Sequence, residues 1–181
     1  MPLHLISPAL RHRRLWYRYR QEFFAAGETH IPGMSAKANT YAAFLRQRRR
    51  YASEKTVPQH YVPDALYFLM DDSETKILGA VNIRFYLNEN LLNRGGHIGY
   101  AVAPSERRKG YATEQLRLAL AKCSELGVGE ANRVLVTCNK ANTASARTIQ
   151  KTGGVLEDER TDCNAMVIQR YWIALDGGTH A

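Results

Sequence analysis

Residues 96–139 constrain the fold of this 181-residue chain more than any other segment. They begin with a strand-like run, GHIGYAVAP, which closes at Pro104. An amphipathic helix is predicted over 110–126, with Gly127 as its natural end. The continuous apolar run NRVLVTCN at 132–139 is typical of a buried strand. A helix that crosses over between two strands makes them parallel neighbours, so the sequence predicts a mixed α/β domain.

The other predicted elements surround this unit. The apolar spacing predicts two helices that precede the strands, separated by the loop GETHIPGMS with its Gly and Pro breakers. Short strands rich in β-branched and aromatic residues follow, then the crossover helix, a further strand, a short helix capped by Asn142 and two closing strands. The predicted bounds are helices at 7–26, 36–53 and 144–152, and strands at 65–72, 76–88, 96–104, 132–139, 155–160 and 165–175.

Composition excludes several classes of protein. No run approaches 18 apolar residues, so no membrane span is expected, and the N-terminus lacks the pattern of a signal peptide. The three cysteines, Cys123, Cys138 and Cys163, have no CxxC spacing. An odd number without that spacing argues against a disulfide framework or a zinc site and favours a reducing cytoplasm. We therefore expect a cytoplasmic protein without a metal centre.

The positive charge of the chain is concentrated near its start. The formal net charge is +8, and the first fifty residues hold ten Lys or Arg and two Asp or Glu, so they account for all of it. Such a surface is compatible with a nucleic acid or another polyanion as partner. The simpler interpretation is that the arginines lie on the solvated faces of two helices.

The segment VAPSERRKGYATE, 102–114, joins the third predicted strand to the crossover helix. The first turn of a helix leaves amide hydrogens unpaired, and these donors suit phosphate. Gly110 permits close approach to the backbone, and Arg107, Arg108 and Lys109 add positive charge. Neither GxxxxGK[ST] nor GxGxxG is present. The sequence therefore predicts a phosphate-binding loop of another type.

Two motifs resemble those of the GNAT family of N-acetyltransferases. Arg107-x-x-Gly110-x-Ala112 matches the family's [QR]-x-x-G-x-[GA] signature. Downstream, NTASARTIQKTGG resembles the family's N-x-x-S/A…K-x-G-F segment, and the whole similarity covers about residues 65–175. The longer phrase around the signature is similar to a bacterial branch of predicted acetyltransferases. The resemblance implies a mostly antiparallel mixed sheet with a splayed parallel central pair, flanked by helices, over a single domain, 1–181, with a cofactor-binding core at 96–154.

This resemblance also implies acetyl-CoA as cosubstrate. In the family, the pyrophosphate lies on the amides of the signature loop and the pantetheine pairs with the end of the preceding strand. Asn142 is expected on the pantetheine side. A plain helix cap is the other interpretation of this residue, and both roles can hold together. Ser145 is expected near the phosphates. The residues implied to bind the cofactor are Val102, Ala103, Arg107, Arg108, Lys109, Gly110, Tyr111, Ala112, Thr113, Asn142 and Ser145.

The groups that move protons are less defined. Family members often use a tyrosine as general acid, but Ile149 stands at that position, and Gly154 replaces the usual phenylalanine. His97 is a candidate base because an ordinary histidine titrates near neutrality; a core histidine is the other interpretation. Glu89 is a second candidate base, or else a surface carboxylate. Tyr100 is a candidate proton donor, although most tyrosines in strands are simply packed.

The sequence thus predicts an N-acetyltransferase that moves acetyl from acetyl-CoA to a primary amine by direct attack in a ternary complex. The amine belongs to a small molecule, an antibiotic or a polypeptide, and the basic N-terminal helices, 7–53, would shape its binding side. The alternative is a non-catalytic acyl-CoA-binding or nucleic-acid-associated module. Nucleic acid is the less favoured partner, no membrane partner is expected, and a homodimer stays open.

Overall fold

The computed structural model describes residues 2–34, 38–162 and 164–175. Its elements, in chain order, are β1 Leu3–Ile6, α1 Arg13–Ala25, α2 Tyr41–Tyr51, β2 Asp64–Asp71, β3 Gly79–Arg84, α3 Glu89–Asn93, β4 Ile98–Val102, α4 Tyr111–Leu126, β5 Arg133–Asn139, α5 Thr143–Lys151, β6 Val155–Thr161 and β7 Val167–Ala174. Short 3-10 turns precede α1 and α4, at Leu10–His12 and Pro104–Glu106. In the part of the chain that the structure describes, no helix is long and apolar enough to cross a membrane.

The strands form two antiparallel sheets, in the orders β1-β2-β3-β4 and β5-β7-β6. The sheets meet where β4 begins: the His97 amide donates to the Leu135 carbonyl at 2.7 Å, and the Leu135 amide donates to His97 Nδ1 at 2.9 Å. Beyond this point, within the described residues, no backbone hydrogen bond joins β4 to β5. We refer to the space between them as the strand gap. The predicted mixed α/β fold with mostly antiparallel strands is confirmed.

Helices cover both faces of the sheets. On one face, Trp16, Tyr19 and Phe23 of α1 pack with Phe44 of α2 against β2. On the other face, α4 and α5 bury Leu116, Ala119, Cys123 and Ile149 against β3, β5 and β7. Because side chains alternate along a strand, Tyr100 of β4 lies on the α4 and α5 face, whereas Ala101 lies on the α1 and α2 face.

Several predicted bounds change for identifiable reasons. The helix predicted at 36–53 begins at Tyr41, because the Thr40 side chain accepts from the Ala43 amide at 3.2 Å and caps the first turn; 36 and 37 lie outside the described residues. The helix predicted at 7–26 is shorter, because a 3-10 turn precedes α1.

Two elements were not predicted. Strand β1 has only four residues and is stabilised by pairing with distant β2, which no local pattern reveals. Helix α3 has five residues and is capped by Asn88. Cys123 and Cys138 are buried free thiols, and Cys163 lies outside the described residues.

Candidate active site

The signature loop, residues 104–113, contains a run of backbone amides without protein acceptors among the described residues. Gly110 is the N-cap of α4 and adopts the left-handed conformation at φ +87°, and Arg108 is left-handed at φ +63°. Within the described residues, the five consecutive amides of 108–112 donate to no protein acceptor. A Cβ added to Gly110 would meet no atom within 4 Å, so the loop is open there. Successive free amides at a helix start fit a pyrophosphate.

The loop's cations have protein partners of their own. Arg107 donates to both carboxylate oxygens of Glu28, at 2.6 and 2.8 Å, and its Nε donates to the Val102 carbonyl at 3.3 Å. These hydrogen bonds lower the pKa of Glu28. Lys109 donates to Glu106 at 2.8 Å, and Arg108 is exposed. The Arg107 side chain therefore fastens the signature loop to the segment after α1.

The edge of β4 that borders the strand gap has free backbone groups. The Ala103 amide donates to the Leu78 carbonyl at 2.8 Å, which sets the hydrogen-bonding phase of the β3–β4 pair. In an antiparallel pair, alternate residues turn their amides outward. The amides of Tyr100 and Val102 therefore face the strand gap, whereas the Ala103 amide is occupied by β3.

A pair of hydroxyl groups links β4 to α5 on the α4 and α5 face. Tyr100 Oη lies 3.0 Å from Ser145 Oγ. Burial raises the pKa of Tyr100 to about 12, so the phenol stays protonated at neutral pH. Asn142 Oδ1 accepts from the Ser145 amide at 3.1 Å and so caps α5. This cap places Ser145 at the end of α5 that meets Tyr100.

His97 and Glu89 have opposite surroundings. His97 is fully buried, and burial, with a smaller effect of Arg84, lowers its pKa to about 4. Its Nδ1 already accepts from Leu135. Its contacts join the two sheets at the closed end of the strand gap, away from solvent. Glu89 is exposed at the first position of α3, between Asn88 and Asn90.

The two departures from the family pattern contact each other. Ile149 is fully buried in α5, and a Cβ added to Gly154 would lie 2.4 Å from Ile149 Cγ2. The glycine leaves the space that the isoleucine fills, so the α5 position where the family often has a tyrosine is apolar here.

A polar pocket of about 560 Å³ opens on the α1 and α2 face. Its floor carries Asp64 of β2 and Asn82 and Arg84 of β3, with Arg48 of α2 beside them. Arg48 donates to Asp64 Oδ1 at 2.6 Å, and Arg84 donates to the Gly95 and Gly96 carbonyls just before β4. The wall residues are Thr29, His30, Ile31, Gly33, Met34, Gln47, Tyr51, His60, Tyr61, Val62, Asn88, Asn90 and Leu91.

Sequence reasoning missed this pocket, although a signal existed. Asn82 and Arg84 follow Ala80 at spacing two along β3, so polar groups occupy a face that is apolar in the rest of the strand. Buried polar residues in such a row are informative because burying them is costly. The contribution of Arg48 was hidden among the other arginines of α2.

Comparison with known proteins agrees with the mixed α/β fold described above. The profile described as acetyltransferase (GNAT) domain matches residues 8–155. No curated protein sequence matches the chain. Among solved structures, the microcin C7 self-immunity acetyltransferase MccE, in complex with acetyl-CoA and AMP, has a TM-score of 0.66 and 18% identity, with 95% of this chain and 92% of that chain covered. The ribosomal-protein-S5-alanine acetyltransferase from Vibrio fischeri has a TM-score of 0.67 and 15% identity, with 97% and 93% covered.

A third similar structure is a spermidine N-acetyltransferase SpeG chimera from Vibrio cholerae and hSSAT. Its TM-score is 0.65 at 12% identity, and 97% of each chain is covered. At these identities the likeness of the structures establishes the fold.

Proposed function

The chain belongs to the GNAT acetyltransferase family and is by that membership an acetyl-CoA-dependent N-acetyltransferase, and from this premise we propose that it acetylates a primary amine bound in the polar pocket. The observation that carries the proposal is the strand gap, which has the signature loop at one end of β4 and the polar pocket on the α1 and α2 face. Acetyl-CoA supplies the activated acetyl group.

Support for the cofactor site comes from the signature loop. The amides of residues 108–112 are free, and the left-handed turn at Gly110 keeps their surface open. Consecutive donors at a helix start bind phosphate without requiring a lysine or arginine side chain. The outward amides of Tyr100 and Val102 then suit a pantetheine arm that lies along β4, as the MccE complex has acetyl-CoA bound in the same fold.

The two partners of the reaction approach from different faces. Gly99 lies beneath the pocket floor, since a Cβ there would lie 3.1 Å from Arg84 Nη2. Tyr100, the next residue, points to the opposite face. An amine in the pocket and a thioester along β4 would therefore meet across the strand gap, within about one residue of Tyr100.

The chemistry requires two proton transfers. The amine nitrogen forms a bond to the acetyl carbon, the carbon–sulfur bond breaks, and the nitrogen loses a proton. We propose that the Val102 amide donates to the developing oxyanion and that Tyr100, with Ser145, delivers a proton to the leaving thiolate. Glu89 is the proposed base: it lies on α3 between Asn88 and Asn90, which line the pocket, although Glu89 itself is outside the lining. Its exposed carboxylate can pass the proton on to solvent. His97 is a positioning residue that holds the two sheets together.

The test is release of CoA from acetyl-CoA in the presence of a panel of primary amines. Tight acetyl-CoA binding without turnover on any amine would favour the alternative, a non-catalytic acyl-CoA-binding module. Salt-dependent binding of RNA or DNA would favour its nucleic-acid-associated form.

The role of Glu89 has its own test. Glu89→Gln should lower kcat at least about a hundredfold without changing acetyl-CoA affinity, since general bases contribute about 10²–10⁴-fold. Asn90→Ala on the same helix is the matched control for disturbance of the pocket wall. Unchanged turnover in Glu89→Gln would remove Glu89 from the mechanism.

A further inference from the structure

The polar pocket contains unequal numbers of positive and negative side chains. Arg48 and Arg84 are cationic, and Asp64 is the one acid among the described residues that line it. Guanidinium groups stay protonated, so the lining has a formal charge of +1 when Lys, Arg, Asp and Glu are counted. Arg48 neutralises Asp64 directly at 2.6 Å. The second guanidinium, Arg84, donates to two neutral carbonyls at 2.9 and 3.1 Å.

Buried polar atoms at this pocket also lack partners. Asn82 is 1% exposed, and its Nδ2 has no hydrogen-bond partner among the described residues. Burial raises the pKa of the neighbouring Asp64 carboxyl, and Arg48 and the Asn82 amide offset only part of that increase. Arg48 Nε and Gln47 Oε1 are also buried, and neither has a partner in the part of the chain that the structure describes. Buried donors without acceptors are uncommon and costly. The two unpartnered donors, on Asn82 and Arg48, lie against a lining that already has excess positive charge.

We propose that the acceptor is a small primary amine that also carries an anionic group, a carboxylate or a phosphate, and that this group binds at Arg48, Asn82 and Arg84. This inference rests on the function proposed above and specifies its substrate class. An anion supplies the acceptors that the Asn82 and Arg48 donors lack, and it neutralises the excess charge of the lining. The volume of about 560 Å³ suits a molecule of amino-acid to mononucleotide size.

Polyamines have the wrong charge for this lining. A polycation would need a free carboxylate in the lining, but Asp64, the one acid among the described lining residues, is bonded to Arg48. The Glu89 carboxylate lies on α3 outside the lining and could pair with one amine only. Binding a polycation would place it beside two guanidinium groups, and like charges in a partly buried site repel strongly. A neutral amine would leave the Arg48 and Asn82 donors unpaired.

The test compares amines in matched pairs that differ by the anionic group. L-tyrosine against tyramine tests the carboxylate, and phosphoethanolamine against ethanolamine tests the phosphate, with spermidine as the polycation. We expect kcat/KM to favour the anionic member of at least one pair by about tenfold or more, which is about 1.4 kcal/mol. The pair that shows the preference identifies which anion the site takes.

A series of charge variants tests whether the preference comes from this pocket. The formal charge of the lining falls to zero in Arg48→Gln, rises to +2 in Asp64→Asn, and stays +1 when both substitutions are combined. The anionic preference should fall to within about twofold of unity in the first, increase in the second, and persist in the third. Arg46→Gln is the matched control, because Arg46 is exposed on the same helix and does not line the pocket.

Acetyl-CoA affinity of each variant shows whether the cofactor half is intact. If Arg48→Gln fails to fold because Asp64 is left unpaired, Asp64→Asn and the combined variant carry the test. Turnover of amines without an anionic preference, or a preference for spermidine, would overturn this inference and leave the proposed function standing. Absence of turnover on every amine would instead overturn the proposed function.

Discussion

A charge placed at Gly110 tests the signature loop most directly. Gly110→Asp and Gly110→Asn introduce side chains of nearly equal shape into space where an added Cβ meets no atom within 4 Å. Only the aspartate adds negative charge beside the free amides of residues 108–112. The comparison therefore isolates electrostatic repulsion from steric effects.

The expected magnitude follows from the geometry. A carboxylate about 5 Å from a phosphate repels it by about 3 kcal/mol at an effective dielectric constant of about 20. That repulsion predicts a loss of acetyl-CoA affinity in Gly110→Asp of more than about a hundredfold relative to Gly110→Asn. The left-handed backbone costs either side chain at most about 1–2 kcal/mol of folding stability.

Gly127 provides the control. It caps the opposite end of α4, is left-handed at φ +64°, and also has open space around an added Cβ. Gly127→Asp and Gly127→Asn should lower the melting temperature by about 2–8 °C, because about 1–2 kcal/mol of strain shifts a domain of this size by that amount. Their acetyl-CoA affinity, measured by titration calorimetry, should stay near wild type. Equal affinity in Gly110→Asp and Gly110→Asn would refute a pyrophosphate site on this loop.

Further predictions concern the protons and the loop. Tyr100→Phe should lower kcat by about a hundredfold or more, with acetyl-CoA affinity unchanged, because a general acid contributes about 10²–10⁴-fold. Ser145→Ala keeps the phenol and should lower kcat less. Equal kcat in Tyr100→Phe and wild type would remove the phenol from the mechanism. The pKa of His97 falls from about 6.5 in the unfolded chain to about 4 when folded. The free energy of unfolding should therefore be highest above pH 6.5 and should decrease by on the order of 3 kcal/mol as the pH falls toward 4. Urea unfolding at several pH values should show this decrease in the free energy of unfolding, and His97→Gln should reduce it. An unchanged pH dependence in His97→Gln would contradict the lowered pKa of His97. Glu28→Gln should weaken acetyl-CoA binding up to about fivefold because it releases Arg107 from its half-exposed pair, whereas tighter binding would show that Arg107 contacts phosphate itself.

The backbone arrangement that we propose for acetyl-CoA binding was largely predictable from the sequence. A strand, a basic turn with Gly110, and an amphipathic helix occur consecutively, so local order alone places free amides at a helix start. The Asn142 cap was readable for the same reason, since its contact is with the amide three residues later. Local features of this kind depend on neighbours in the chain and need no knowledge of packing.

The roles of individual side chains could not be predicted from local sequence. Arg107 matches the family signature, yet its guanidinium binds Glu28, 79 residues away along the chain. His97 has the ordinary chemistry of a base, but burial lowers its pKa, and its Nδ1 already accepts a hydrogen bond from the Leu135 amide of β5. Both outcomes depend on what tertiary packing brings next to the side chain, and desolvation has no signature in a single sequence.

The polar pocket shows most clearly the difference between what local sequence determines and what tertiary packing determines. By itself the sequence determined the α/β fold, because periodicity and helix ends are local properties, and its two motifs identified the family. It also predicted the unpaired amides at the start of α4. Only the tertiary structure decided that Arg48 of α2, Asp64 of β2 and Arg84 of β3 line one pocket. It also decided that the Tyr100 hydroxyl of β4 contacts the Ser145 hydroxyl of α5. Charges and hydroxyl groups from separate elements form a site only when the packing of those elements sets the distances between them, and this packing is fixed by the whole core.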